Sequence, residues 1–199
     1  MIITISREYG AGGHSIGQRV AKELGIEFYD KDIIRGVVKE SGLDTDAIEK
    51  AEEEISRTDA FLRWITPSSY VDQHESIHTF EKRVILSLAQ KGPCVILGRC
   101  ADVILEEAGI DCLNVFIYGD QLHRAARVGE LIGSNNPTEI QKRMKRTDLA
   151  RRSYYQQTTS KRWGDCANYN LALDSGFLGY DCCVNLICQA ARGAKENHL

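Results

Sequence analysis

At 199 residues the chain is long enough for one full-sized domain with a buried core and a small insertion. Apolar residues make up 43% and charged residues 27%, which excludes a disordered chain, and a net charge of -3 excludes the charge excess of a nucleic-acid binder. No apolar run approaches the roughly 20 residues of a membrane span, and MIITIS carries no basic n-region. A cytoplasmic protein with no nucleic-acid and no membrane partner is therefore expected.

The first element is an apolar strand, Ile2–Ser6, followed by the cluster Gly10-Ala11-Gly12-Gly13. A helix then carries the stripe Ile16, Val20, Ala21 and Leu24, with Gly25 as its C-cap. A second strand is expected at Ile26–Tyr29. Beyond it, Asp44 to Pro67 opens with the acidic run DTDAIEKAEEEIS and reads as a helical excursion from the sheet. The next stripe, Ile77, Phe80, Val84 and Leu88, predicts a helix closed by Gly92-Pro93.

Strands at Cys94–Leu97, Leu113–Tyr118 and Tyr169–Leu173 complete a set of five. Several are continuously apolar, as expected of strands covered on both faces in a parallel sheet. Asp120 caps a helix that runs into Gly133, and Pro137 opens a long one. The segment Lys142 to Arg152 reads KRMKRTDLARR, with seven of eleven residues charged and six of those basic. The last helix follows Gly179 and carries Val184, Ile187, Cys188 and Ala191. Strands alternating with helices predict a three-layer α/β/α domain. The seven cysteines form no C-x-x-C pair and no zinc spacing, so most should be buried thiols in a reducing compartment.

A strand, a glycine cluster and a helix N-terminus together form a phosphate-binding geometry. Glycines allow positive φ and aim successive N–H groups inward, and the helix end adds unsatisfied donors. Gly10, Ala11, Gly12, Gly13, His14 and Ser15 are thus the candidate cofactor-binding residues, with Ser15 placed either to cap the helix or to ligand Mg²⁺. The dinucleotide pattern fails, since Ser15 stands where its third glycine belongs. The loop also lacks a lysine. With Gly12 on the second glycine of G-x-x-x-x-G-K-[ST], Gly13 falls on the lysine and, in the GKGT form, Ser15 on the threonine. Arg7, before the loop, and His14, after it, are the two cations near enough to replace the lysine.

GAGGHSIGQRVAKELGIEFYD resembles the opening of cytidylate kinases, and the start ISREYG, with a glycine pair for the lysine and then FYD, is similar to the cytidylate kinase-like family. Val95-Ile96-Leu97-Gly98-Arg99 resembles the family's strand-end GRD segment, with Cys100 at the aspartate position and Asp102 two residues on. Asp120, Arg124 and Arg127 resemble the helix after the fourth strand, and Asn170 to Ser175 the last strand, LVLD[ST].

The resemblance implies a P-loop kinase fold with a five-stranded parallel sheet in the order 2-3-1-4-5. It implies phosphoryl transfer from ATP, with Mg²⁺, to a small-molecule nucleotide, CMP by analogy. Residues of about 36–80 would form an acceptor-binding helical insertion, and about 137–165 an arginine-rich lid. Arg7, His14, Arg146 and Arg151 are the candidate catalytic cations; Arg35, Arg99 and Asp102 are the candidate acceptor-binding residues. For Asp102 the alternative is a carboxylate at a helix N-terminus. Three readings stay open: a nucleoside monophosphate kinase, a kinase of another small molecule, and a catalytically silent nucleotide-binding regulator. The oligomeric state is not legible.

Overall fold

In the computed structural model, which describes residues 1–30 and 69–197, the five apolar runs form one parallel sheet. Its strands are β1 (Ile2–Arg7), β2 (Glu27–Tyr29), β3 (Cys94–Leu97), β4 (Cys112–Tyr118) and β5 (Leu171–Asp174), in the order β2-β3-β1-β4-β5. Six helices occur among the described residues: α1 (Gly13–Leu24), α2 (Ser69–Lys91), α3 (Ala101–Glu107), α4 (Gln121–Ile132), α5 (Pro137–Thr159) and α6 (Ser175–Asn197). The expected excursion at Asp44–Pro67, and Arg35, lie outside the described residues.

Side-chain alternation along β1 sorts the core into two layers. Ile3 and Ile5 pack with Ile16 and Val20 of α1 and with Val184 and Ile187 of α6. Ile2 faces the other way, with Val84, Ile85 and Leu88 of α2 and Ile104 and Leu105 of α3. A smaller cluster, Val128, Ile140 and Met144, joins α4 to α5 beside the sheet.

The expected caps are in place. Gly25 and Gly133 end their helices at φ 63° and 65°, where a side chain would be strained, and Asp120 accepts from the Leu122 and His123 N–H groups. Strands β1, β2 and β4 each differ from expectation by one residue at one end, and three other boundaries differ for local reasons. Helix α1 begins at Gly13 with Gly12 as its N-cap and no side-chain cap, so Ser15 is the third residue of its first turn and does not cap it. Strand β5 starts at Leu171 because Tyr169 closes a short 3₁₀ turn, Cys166–Asn168, and packs its ring against Phe116. Helix α6 has one turn before Gly179, whose φ of 75° and ψ of 160° break it.

All seven cysteines are free. Cys94, Cys100, Cys183 and Cys188 are buried, whereas Cys166 and Cys182 are exposed. Burial pushes the Cys94 and Cys183 thiols up to about 11, so little nucleophilic thiolate forms at neutral pH. A thiol reagent added to the folded chain is expected to label Cys166 and Cys182 quickly and the four buried cysteines only on unfolding. Mass spectrometry of the adducts would expose an error if Cys94 or Cys100 reacted as fast as Cys166.

Candidate functional site

In a parallel α/β sheet ligands meet the carboxyl ends of the strands, and β1 delivers its last residue, Arg7, to that edge. The next turn is pinned from two sides. The Glu8 N–H donates to the Ile117 carbonyl at 2.9 Å, continuing the β1–β4 pairing. The Ser175 hydroxyl, fully buried, lies 2.8 Å from the Ala11 carbonyl and 3.0 Å from that of Tyr118, joining the glycine loop to β4 and α6. Gly10 and Gly12 both have positive φ, 85° and 76°. A Cβ at Gly10 would meet the Arg124 carbonyl oxygen at 2.6 Å, and one at Gly12 would overlap the Tyr180 phenol. These glycines are therefore required by conformation and by close approach. The first turn of α1 holds no acidic residue and no side-chain cap, leaving its N–H groups and positive dipole end open to an anion.

The two cations beside the loop go different ways. Arg7 runs across Gly13: a Cβ at Gly13 would stand 2.6 Å from the Arg7 Cβ and 2.7 Å from its Cγ. The guanidinium continues to Gly98, where a Cβ would overlap Nη1. The stem of Arg7 thus fills the space of a side chain at the lysine position. His14 turns instead to β2, with Nε2 3.1 Å from Asp30 Oδ2 and its ring edge against Phe28.

Arg99 and Arg151 join Arg7. Burial and these two neighbouring guanidinium groups lower Arg7 to about 9, with Asp30 pulling the other way. Arg151, on α5, donates to the Arg7 carbonyl at 2.9 Å and lies over the Tyr9 ring, 5.7 Å from its centre. Arg99 follows β3 in a run of three left-handed residues: Gly98 at φ 79°, Arg99 at 59° and Cys100 at 54°. For the two non-glycine residues this conformation costs about 1–3 kcal/mol each, a strain found mostly where function fixes the backbone. Arg99 pairs with the buried Glu81 of α2 at 3.0 Å, and Tyr154 of α5 donates to the same carboxylate.

Helix α5, which holds the basic segment, is continuous and tied down. Asp148 accepts from the Tyr9 N–H at 2.7 Å and pairs with Arg124, whose Nε donates to the Tyr9 carbonyl and whose Nη1 pairs with Glu8 at 2.9 Å. Tyr155 donates to Asp102 at 2.7 Å. Asp102 itself is 3% exposed in the first turn of α3, and burial raises its carboxyl above the ordinary range despite that bond. Asp102 is thus engaged in an α3–α5 contact rather than presented at the open edge. Arg146 and Arg143 are on the exposed side of α5.

The structure therefore brings Arg7, Arg99 and Arg151 together beside Gly10–Ser15, and leaves His14 at β2 and Arg146 outside. Sequence reading missed Glu81, Asp30, Tyr154 and the anchoring hydroxyl of Ser175. Ser175 ends the LVLD[ST]-like segment, and a lone glutamate beside an apolar stripe was the signal for Glu81. Among the described residues no group of three His, Cys, Asp or Glu side chains could hold a metal ion.

A sequence model of the cytidylate kinase-like family matches residues 2–176. No curated protein matches the chain. Among solved structures, an uncharacterised protein from Eubacterium ventriosum superposes with a TM-score of 0.71 at 24% identity, covering 96% of this chain and 97% of the other. Shikimate kinase from Bacteroides thetaiotaomicron gives 0.55 at 13% identity, covering 96% and 98%. A gluconokinase from Sinorhizobium meliloti gives 0.54 at 17% identity, covering 98% and 96%. The fold is that of the P-loop kinases, with the expected sheet order.

Proposed function

Because the chain belongs to the cytidylate kinase-like family, we propose that it transfers a phosphoryl group from ATP to a nucleoside monophosphate, CMP in the first place. The observation that carries this reading is the path of Arg7 over Gly13 to Gly98, which supplies a fixed cation to a loop that lacks its lysine. Phosphoryl transfer needs positioning and cations around the moving group more than covalent help. Backbone N–H groups of Gly10 to Ser15 hold the donor phosphates. Arg7 and Arg151 neutralise the charge on the transferring group, and Arg99, with Arg35, holds the acceptor's phosphate. Arg146 stands ready on the outer face of α5 to reach the nucleotide, in the part of the chain assigned as a lid. Mg²⁺ fits as a nucleotide-borne ion that offsets phosphate charge, with the Ser15 hydroxyl as its protein ligand, since the described residues offer no carboxylate cage.

A second reading is transfer to a hydroxyl of another small molecule. It is favoured by Asp30, a carboxylate at the end of β2 beside Arg7 and hydrogen-bonded to His14, placed as a base that a phosphate acceptor would not need. ATP consumption with Mg²⁺ against CMP, UMP, AMP, GMP, shikimate and gluconate separates the two. Turnover with CMP is expected. ATP binding with no turnover on any nucleotide would end the monophosphate reading.

A further inference from the structure

We propose that Glu81 and Tyr154 are the positioning residues for Arg99, holding its guanidinium at the open edge of the sheet as an anion contact. The inference rests on the phosphoryl-transfer reading only for the identity of the anion. Glu81 is 5% exposed and lies on α2, well away in sequence from either partner. One of its oxygens faces Arg99 Nη1 at 3.0 Å, and the other accepts from the Tyr154 hydroxyl. The Tyr154 ring in turn lies 5.7 Å from the Arg99 guanidinium carbon. Arg99 is thus held by charge on one side and by an aromatic face on another.

Two features set this apart from an ordinary buried ion pair. The backbone of Arg99 is left-handed, and so are both its neighbours, which fixes where the side chain leaves the chain. And Arg99 stands near Arg7, a like charge, so without a carboxylate behind it the guanidinium would be driven away from the edge. A partner whose whole role was stability would be better replaced by apolar groups, since a buried ion pair seldom outweighs its desolvation. Burial and the neighbouring Glu81 hold the Tyr154 phenol well above its ordinary value, so its hydroxyl keeps the proton it donates across neutral pH.

The test is a double-mutant cycle read on affinity for inorganic pyrophosphate, measured by calorimetry on the full chain. Arg99→Ala is expected to weaken pyrophosphate at least tenfold. Glu81→Ala should weaken it about as much in the native background and add nothing in the Arg99→Ala background, because the carboxylate acts only through that arginine. Tyr154→Phe keeps the ring and the packing and loses one hydroxyl; it should cost a few-fold, again only where Arg99 is present. Equal losses in both backgrounds, or no loss from Arg99→Ala, would overturn the proposal. Should Glu81→Ala not fold, the Tyr154→Phe pair of measurements decides it alone. CMP turnover by the unsubstituted chain is scored separately, so a failed kinase reading leaves the cycle interpretable.

Discussion

Replacing Arg7 by alanine is expected to slow phosphoryl transfer by a factor of hundreds or more while the chain remains folded. The loss is large because no residue of the glycine loop can take over: Gly13 has no side chain, and His14 is engaged with Asp30. Folding is expected to survive because Arg7 is held in an unfavourable setting, buried beside two like charges. The substitution removes that repulsion and keeps the backbone carbonyl to which Arg151 donates. Melting temperature should therefore stay level or rise as activity falls, the opposite of what a structural arginine would give. The sign of the pH response follows. Arg7 is charged below about 9 and loses its proton as the pH rises through that value, so activity should decline on the alkaline side there. A lysine at position 13 in the native background would run into the Arg7 stem and should not help. In an Arg7→Gly background, which also removes the Cβ that would stand 2.6 Å away, Gly13→Lys should recover a measurable part of the rate. Steady-state kinetics on these proteins decide the matter. An Arg7→Ala chain within tenfold of the unsubstituted one would refute the assignment.

A large loss of stability is expected from Arg124, which lies outside the proposed phosphate site. Arg124 is 9% exposed, and its guanidinium joins Glu8, Asp148 and the Tyr9 carbonyl. Glu8 already sits above its ordinary value, because burial outweighs the pull of Arg124. Arg124→Ala would leave two partly buried carboxylates facing each other, at a cost of about 3–5 kcal/mol. For a chain of this length each kcal/mol lowers the melting temperature by about 2–4 °C. Arg124→Lys should rescue little, since one ammonium cannot satisfy three acceptors in a planar fork. Arg127, one turn on, is the control: its pair with Glu130 is exposed, and Arg127→Ala should cost under about 1 kcal/mol. Calorimetric melting of the three variants tests this ranking, and equal losses for Arg124→Ala and Arg127→Ala would contradict it.

The strands were legible because each is a short apolar run bounded by turn residues, and the topology followed once the resemblance was recognised. The glycine loop was legible for a local reason: strand, glycines and helix are contiguous in the chain. What sequence could not give was the choice between Arg7 and His14. Both flank the loop, and only the packing of Gly13 and Gly98 shows which side chain crosses it. The basic segment misled in a different way. Its charge density drew attention to all its arginines, yet the helix turns Arg143 and Arg146 outward and Arg151 inward, a matter of phase. Tyr155 is buried, yet its phenol and that of Tyr154 each meet a carboxylate from another helix, which no local pattern announces.

The mutual exclusion of Arg7 and a side chain at position 13 also bears on how such a loop can change by descent. From the present arrangement, losing Arg7 alone would remove the cation proposed for the loop, and gaining a lysine at 13 alone forces two stems into one space. On the proposed role of Arg7, lysine-bearing and arginine-bearing loops are expected to be separate fitness peaks, with a lower saddle between them. A library that varies positions 7 and 13 one at a time would stay on the peak where it began, and only a jointly randomised pair would cross.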